Sequence, residues 1–430
     1  MIGEFPALLA GKRALALIDG EHYPEVVREA LRSLPCRVAG ALLVGGKEKL
    51  RGSPDFGVRL LSGGLADAVA ACGAELVVDL SDEPVVGGRE RMHFAAQALA
   101  CGVAYAGADF YFAPPRPAAY DLPAISIAGT GKRIGKTAVG GHTARLLARR
   151  WKVVVVAMGR GGPAEPVVMT SSPDVAGLLE LSRSGRHAAS DYVEDAVFAR
   201  VPTVGARRCG GGFAATPLTS NVEAAAAVAA DLSPDLVLFE GSGTVLPPVQ
   251  TRRRILVVGG EQCPERVLGY AGAYRVLVSD LVVLTLADPH LDVRPLRQAI
   301  EQVREVPLIA AALRPRPVSD ISGRRVAFFT TASVAVVPGM VEHLTTSYGA
   351  RVVHASTALA DRGRLGAELR EVDAEVFLVE LKAAAIDMVA EHAERRGVPV
   401  VLCDTQVVSL PGEPCLDQAL LDLGQEATAS

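Results

Sequence analysis

The chain has 430 residues, half of them apolar and 21% charged, with a formal net charge of −4. This is the composition of a globular protein large enough for two or three domains, and it carries no basic field to draw in DNA, RNA or anionic lipid. The seven cysteines are scattered singly without Cys-x-x-Cys or Cys/His spacing, so reduced structural thiols are expected rather than a metal centre.

The N-terminus, Met-Ile-Gly-Glu-Phe-Pro, lacks the basic stretch and apolar core of a signal peptide. Apolar runs such as Val153 to Ala157 stay far below the ~20 residues of a membrane span, and a cytoplasmic protein is expected. From the start the pattern is strand then helix: Ala14 to Ile18, an amphipathic Tyr23 to Leu34, then Val38 to Val44. Leu76 to Leu80, Phe94 to Cys101 and Val103 to Tyr105 continue this βαβ grammar, which implies a parallel sheet covered by helices. The proline-rich segment from Ala113 lacks amide donors and marks a boundary.

A second unit opens with the strand Ala124 to Ala128, passes through Gly129-Thr130-Gly131-Lys132-Arg133-Ile134-Gly135-Lys136-Thr137, and enters a helix over Ala138 to Arg150. A strand running into Gly-Lys-Thr and a helix binds a nucleotide triphosphate. Backbone amides from Gly129 to Gly135 curl around the β-phosphate, Lys136 reaches β and γ oxygens, Thr137 can ligate Mg²⁺, and the helix dipole favours the anion. Lys132 and Arg133 add two cations that could neutralise a moving phosphoryl group. Strands at Leu236 to Glu240, Ile255 to Val258, Leu281 to Leu286 and Val306 to Ala311 complete this unit. After Arg314-Pro-Arg-Pro a third βα block begins, ending in a polar tail past Gln418 that is expected to fray. The expected fold is α/β: a parallel-sheet P-loop NTPase unit (121–316) between an N-terminal (1–120) and a C-terminal (317–430) Rossmann-like α/β unit.

Several segments beyond the loop suit anions. Met158-Gly-Arg160-Gly-Gly-Pro has glycines that permit close backbone approach, with Arg160 as a substrate or catalytic cation. Arg207 and Arg208 stand before Gly210-Gly-Gly212, combining fork-like donors with free amides. Thr251-Arg252-Arg253-Arg254 reads instead as a solvated charge run. Asp191-Tyr-Val-Glu194-Asp195 supplies the opposite sign, for Mg²⁺ or a helix dipole. Asp19 and His22 follow the first strand, where α/β sheets form their sites, and Lys382 lies past a buried strand ending in Glu380. Together these pieces imply a small substrate richer in phosphate or carboxylate than a nucleotide alone.

The spacing around the loop, with Glu240-Gly-Ser-Gly243 after a later strand, resembles dethiobiotin synthetase and related P-loop enzymes. That resemblance implies that Glu240 helps hold Mg²⁺. Over nearly its whole length the chain resembles the cyclic 2,3-diphosphoglycerate synthetase family, through Leu17-Ile-Asp-Gly-Glu-His-Tyr-Pro24, Gly129 to Thr137, Ser190 to Asp195, Arg207 to Gly212 and Val379 to Ala385. Membership implies that ATP and Mg²⁺ convert 2,3-diphosphoglycerate to its cyclic phosphoanhydride, releasing ADP and phosphate. Asp19, His22, Arg207, Arg208 and Lys382 are then assigned to the substrate, and a homodimer is implied. Adenine is placed near the end of Leu281 to Asp288.

Overall fold

The computed structural model describes residues 5–50, 54–185, 190–270, 272–287, 291–382 and 385–429, so Asp288 lies outside the described residues. Its N-terminal sheet contains β1 (Arg13–Asp19), β2 (Arg37–Gly45), β3 (Leu60–Leu61), β4 (Leu76–Asp79), β5 (Ala104–Ala106) and β6 (Tyr111–Phe112). They lie in the order β3-β2-β1-β4-β5-β6, parallel except for β6. Leu15 and Leu17 of β1 face one core and Ala16 and Ile18 the other, the period of a strand buried on both faces.

The second sheet has thirteen strands. In chain order they are β7 (Ala124–Gly129), β8 (Val153–Gly159), β9 (Val167–Met169), β10 (Thr203–Cys209), β11 (Thr219–Ser220), β12 (Leu236–Glu240), β13 (Arg253–Gly259), β14 (Leu281–Thr285), β15 (Leu308–Pro317), β16 (Arg325–Phe329), β17 (Arg351–Ser356), β18 (Val376–Glu380) and β19 (Val400–Ser409). The spatial order is β11-β10-β8-β12-β7-β13-β14-β15-β19-β18-β16-β17, with β9 on β10. From β10 to β15 neighbours are parallel; β15 and β19 are antiparallel; β19, β18, β16 and β17 are again parallel to one another. The Arg314-Pro-Arg-Pro stretch is itself strand, the end of β15. Pro315 and Pro317 are tolerated because β14 pairs only with Leu308 to Ala310, leaving the rest of β15 with β19 alone.

That junction also sets the relation of the two halves. Beyond Ala310 the strand continues seven residues to Pro317, about 23 Å at ~3.3 Å per residue. There β19 turns the chain back, and β18 pairs parallel to it with Glu380 level with Cys403. The carboxyl-terminal edge of the β18 half thus faces the carboxyl-terminal edge of the β7 half.

The helix Lys136–Leu147 is buried between the sheet and the last helix, Leu416–Thr428. That last helix corrects the expectation of a frayed tail: Leu416, Leu420, Leu423 and Ala427, spaced 4, 3 and 4 apart, form one buried stripe against Leu146 and Leu147. Its carbonyl groups at Ala427 and Ala429 accept from Arg252, and Arg253 pairs with Glu426 at 2.7 Å. The arginine run is accordingly a clamp on the helix end rather than a solvated stretch. The N-terminal unit docks through Ala96 and Leu99 on Ala273 and Tyr274, and through Phe112 stacked on Phe213 with ring centroids 4.6 Å apart. Among the described residues no helix is long and apolar enough to cross a membrane.

Candidate active site

β7 delivers the loop at the carboxyl-terminal edge of the sheet. Gly129 N–H donates to the Gly243 carbonyl at 3.1 Å and Thr130 N–H to the Val257 carbonyl at 3.0 Å, fixing the loop base between β12 and β13. Thr130, which breaks the usual glycine spacing, braces the loop from within. Its hydroxyl bonds the Gln262 side-chain oxygen, and the Gln262 amide returns to the Thr130 carbonyl at 3.3 Å. A side chain at Gly131 would crowd the same Gln262 amide at 3.1 Å. Ile134 is buried and its carbonyl accepts the Thr285 hydroxyl. Gly135 adopts φ +78°, and a Cβ there would lie 2.7 Å from Leu313. Between these anchors Lys132 and Arg133 remain exposed, Arg133 with φ +59°.

Lys136 and Thr137 open the following helix. Lys136 donates to Glu240 Oε2 at 2.7 Å, both side chains nearly or fully buried. Glu240 can lie against this helix only because residue 140 is glycine: a Cβ there would sit 1.6 Å from Oε1. The helix Asp191–Ala199 packs alongside and brings Asp191, Glu194 and Asp195 to the same place. Burial pushes the Asp195 and Glu240 carboxyls up. Burial also opposes the Lys136 ammonium, yet Glu240, Asp191 and Asp195 together hold it above its ordinary value. Glu240 Oε1 and Asp195 Oδ2 are buried without a hydrogen-bond partner. No group of three His, Cys, Asp or Glu among the described residues is arranged to hold a metal unaided. An unpartnered Glu240 oxygen one helical turn from Thr137 therefore suits a divalent cation whose remaining ligands come from phosphate.

The second cationic element lies on the other side of Gly243. Arg208 is buried on β10; Nη1 donates to the Gly210 carbonyl and Nη2 to the Ser242 carbonyl, each at 2.7 Å, while Nε has no partner. Arg160, just past β8, reaches the same point: its Nη2 is 2.7 Å from where a Cβ on Gly243 would be, and Arg208 Nη2 3.7 Å from it. Burial, then Arg160, lower the Arg208 pKa. Among the described residues neither arginine has a carboxylate partner. Two guanidinium groups without a carboxylate to neutralise them, converging beside a phosphate loop, form a site for a multiply charged anion.

Models of the cyclic 2,3-diphosphoglycerate synthetase N-terminal, P-loop and C-terminal domains match residues 13–113, 124–312 and 317–406. A protein of Rubrobacter xylanophilus named cyclic 2,3-diphosphoglycerate synthetase is 45% identical, covering 96% of this chain and 98% of its own. Like-named proteins of Thermococcus onnurineus and Methanothermobacter thermautotrophicus are 40% and 37% identical, covering 96% and 98% of this chain and 98% and 97% of theirs. The chain belongs to the cyclic 2,3-diphosphoglycerate synthetase family.

For a member of this family the structure sorts the residues singled out by sequence. The loop from Gly129 to Thr137, Glu240, Arg160 and Arg208 come together. Arg207, on the opposite pleat, is exposed, and its amide N–H donates to Asn221 Oδ1 at 2.7 Å. The glycine of closest approach after Arg160 serves the protein rather than an anion: a Cβ on Gly162 would be 2.0 Å from the Ala206 carbonyl oxygen. Lys382 pairs with Glu194, the residue beside Asp195. Asp19 and His22 form a pair of their own at the end of β1, Nδ1 to Oδ1 at 2.9 Å. Asp19 is buried, a cost outweighed by bonds from the His22 ring and the Asp82 and Glu21 amides, which hold its carboxyl below the ordinary range. These bonds tie the pair to its own N-terminal unit.

Sequence reading missed Gln262, Thr285 and Gly140. The first two carry no motif and act through loops that meet only in three dimensions. Gly140-Gly141 in mid-helix was a visible anomaly, since glycine there costs ~1 kcal/mol relative to alanine and calls for a packing reason.

Proposed function

We propose that the protein catalyses ATP-dependent closure of 2,3-diphosphoglycerate to its cyclic phosphoanhydride, releasing ADP and phosphate. The observation that carries this reading is the convergence of Arg160 and Arg208 over Gly243, whose carbonyl is bonded to the first residue of the phosphate loop. A nucleotide in the loop and a polyphosphorylated acid on the arginines would lie side by side.

In this reading Lys136 and the loop amides hold the β- and γ-phosphates, and Lys132 and Arg133 neutralise charge at the open tip. A magnesium ion held by Thr137 and Glu240 would supply further neutralisation of the phosphates. The γ-phosphoryl group moves to one substrate phosphate as its bond to the ADP oxygen breaks. An oxygen of the other substrate phosphate then attacks the phosphorus bonded to the glycerate, and the terminal group leaves as inorganic phosphate. Phosphate oxygens are already anionic at neutral pH, so no strong base is needed; positioning and charge neutralisation carry the rate. Arg160 and Arg208 hold the substrate, with Arg207 at the rim and the Asp19–His22 pair contributed by the N-terminal unit. The homodimer belongs to the same proposal, with a solution mass near twice 44.8 kDa.

Phosphorus NMR of the protein with ATP, Mg²⁺ and 2,3-diphosphoglycerate tests it. New anhydride resonances should grow with ADP and phosphate in equal amounts. ADP release indifferent to 2,3-diphosphoglycerate, with no new anhydride signal, would sink the proposal.

A further inference from the structure

We infer, building on the reading above, that Lys382 is a further phosphate-binding cation of the P-loop site, lent by the C-terminal unit and held in place by Glu194. The topology supplies the first reason. Because β15 and β19 are antiparallel and staggered, the carboxyl-terminal ends of β7 and β18 face each other. Lys136 follows one of those ends and Lys382 the other. The two lysines therefore enter one space from opposite sides, on one continuous sheet.

The acidic helix shows that they share it. Asp191, half-buried and first in that helix, acts electrostatically on both Lys136 and Lys382, and Glu240 is felt by both. Lys382 pairs with Glu194, yet about a third of its side chain stays exposed, against 12% for Glu194. It has an open side. Burial pushes the Glu194 carboxyl up to about 7 even with the Lys382 ammonium opposing it, and burial also opposes that ammonium, yet Glu194, Glu380 and Asp191 hold it above its ordinary value. The poorly solvated Glu194 carboxylate, with Asp191 and Asp404 as like-charged neighbours, positions the lysine from its buried side, and its exposed side leaves ammonium donors for a phosphate dianion. Glu194 is thus a positioning residue and Lys382 the ligand-touching one.

The alternative role is a plain clamp between the acidic helix and the C-terminal unit, which share one apolar core through Val193, Val197 and Phe198. Equilibrium binding and melting temperature separate the two roles. Lys382→Met, Glu194→Gln and the double variant Glu194→Met/Lys382→Met are compared with the unaltered protein, using the Mg²⁺ complexes of a non-hydrolysable ATP analogue and of ADP, and 2,3-diphosphoglycerate alone. Lys382→Met should weaken one terminal-phosphate ligand by about tenfold or more. Loss for the ATP analogue but not ADP assigns the lysine to the nucleotide's last phosphate; loss for 2,3-diphosphoglycerate alone assigns it to the substrate. Lys382→Arg should recover part of either loss, and the double variant should recover melting temperature but not binding. The inference is overturned if all three ligands bind unchanged, or if all weaken together and the double variant restores both. If the unaltered protein neither binds nor turns over 2,3-diphosphoglycerate, the substrate reading fails, while the nucleotide arms still decide the role of Lys382.

Discussion

Adjacent glycines in the phosphate-loop helix should respond to the same substitution with opposite sign. Alanine in a helix interior is ordinarily better than glycine by ~1 kcal/mol. At Gly141 nothing opposes this gain, because a Cβ would meet only Arg145 Nη1, at 3.8 Å; Gly141→Ala is expected to stabilise by about 0.5–1 kcal/mol. At Gly140 the Cβ would stand 1.6 Å from Glu240 Oε1, so the carboxylate must retreat by roughly 2 Å to reach ordinary contact. It has little room, being buried and bonded to Lys136 at 2.7 Å. Overpacking of this kind costs ~1–3 kcal/mol, and disturbing the buried pair adds to it. Gly140→Ala is therefore expected to destabilise by about 1–3 kcal/mol net, and to weaken binding of the Mg²⁺ complex of an ATP analogue as Lys136 and Glu240 separate. Paired thermal melts give the sign of each change and calorimetric titration gives the affinity. A shift of both variants in one direction, or a Gly140→Ala protein with native nucleotide affinity, would refute the reasoning.

Arg208→Ala should raise the KM for 2,3-diphosphoglycerate by roughly 10- to 100-fold through loss of charge-assisted contacts, with ATP affinity nearly unchanged. Exposed Arg207→Ala should do much less, and steady-state kinetics with both substrates would expose an inverted order. Leu420→Ala, in the stripe beneath the phosphate-loop helix, should cost ~2–5 kcal/mol on denaturant unfolding; a frayed tail would show almost no effect. His142 gives a pH signature. Burial holds its pKa below the ordinary 6.5, against the pull of Asp417 at 2.7 Å. Between the folded value and 6.5 the unfolded chain takes up a proton that the folded protein refuses, so this group's contribution is intact above that window and lost as pH falls through it. His142→Gln should flatten the acid-side slope of stability against pH; an unchanged slope would assign it to other groups. Gly20→Ala, whose Cβ would lie 2.0 Å from the Gly46 carbonyl oxygen, should destabilise the N-terminal unit, read by proteolysis of that unit ahead of the rest.

Local sequence determined a good deal of this protein. Alternation and short β-branched runs mark β1, β7, β8 and β12 within a residue or two, because a strand buried on both faces has few other compositions. The loop from Gly129 to Thr137 was legible because strand, turn, lysine and helix must follow one another in the chain to bind phosphate, whereas Glu240 was singled out through the resemblance carried by Glu240-Gly-Ser-Gly243. The last helix was misread, because its polar residues suggested fraying although Leu416, Leu420, Leu423 and Ala427 carry helical spacing.

What only the tertiary structure decided concerns partners far apart in sequence. Strand alternation sends Arg208 inward and Arg207 outward, but which of the two joins Arg160 depends on where the Gly241 to Gly243 turn lies. The glycine at 140 acquires its reason only when Glu240, a hundred residues later, comes against it. Above all, the antiparallel pairing of β15 with β19 turns two parallel half-sheets edge to edge and brings Lys382 toward Lys136. No periodicity encodes that reversal, since hydrogen-bonded pairing between distant strands is chosen by the packing of the whole core and not by either strand alone.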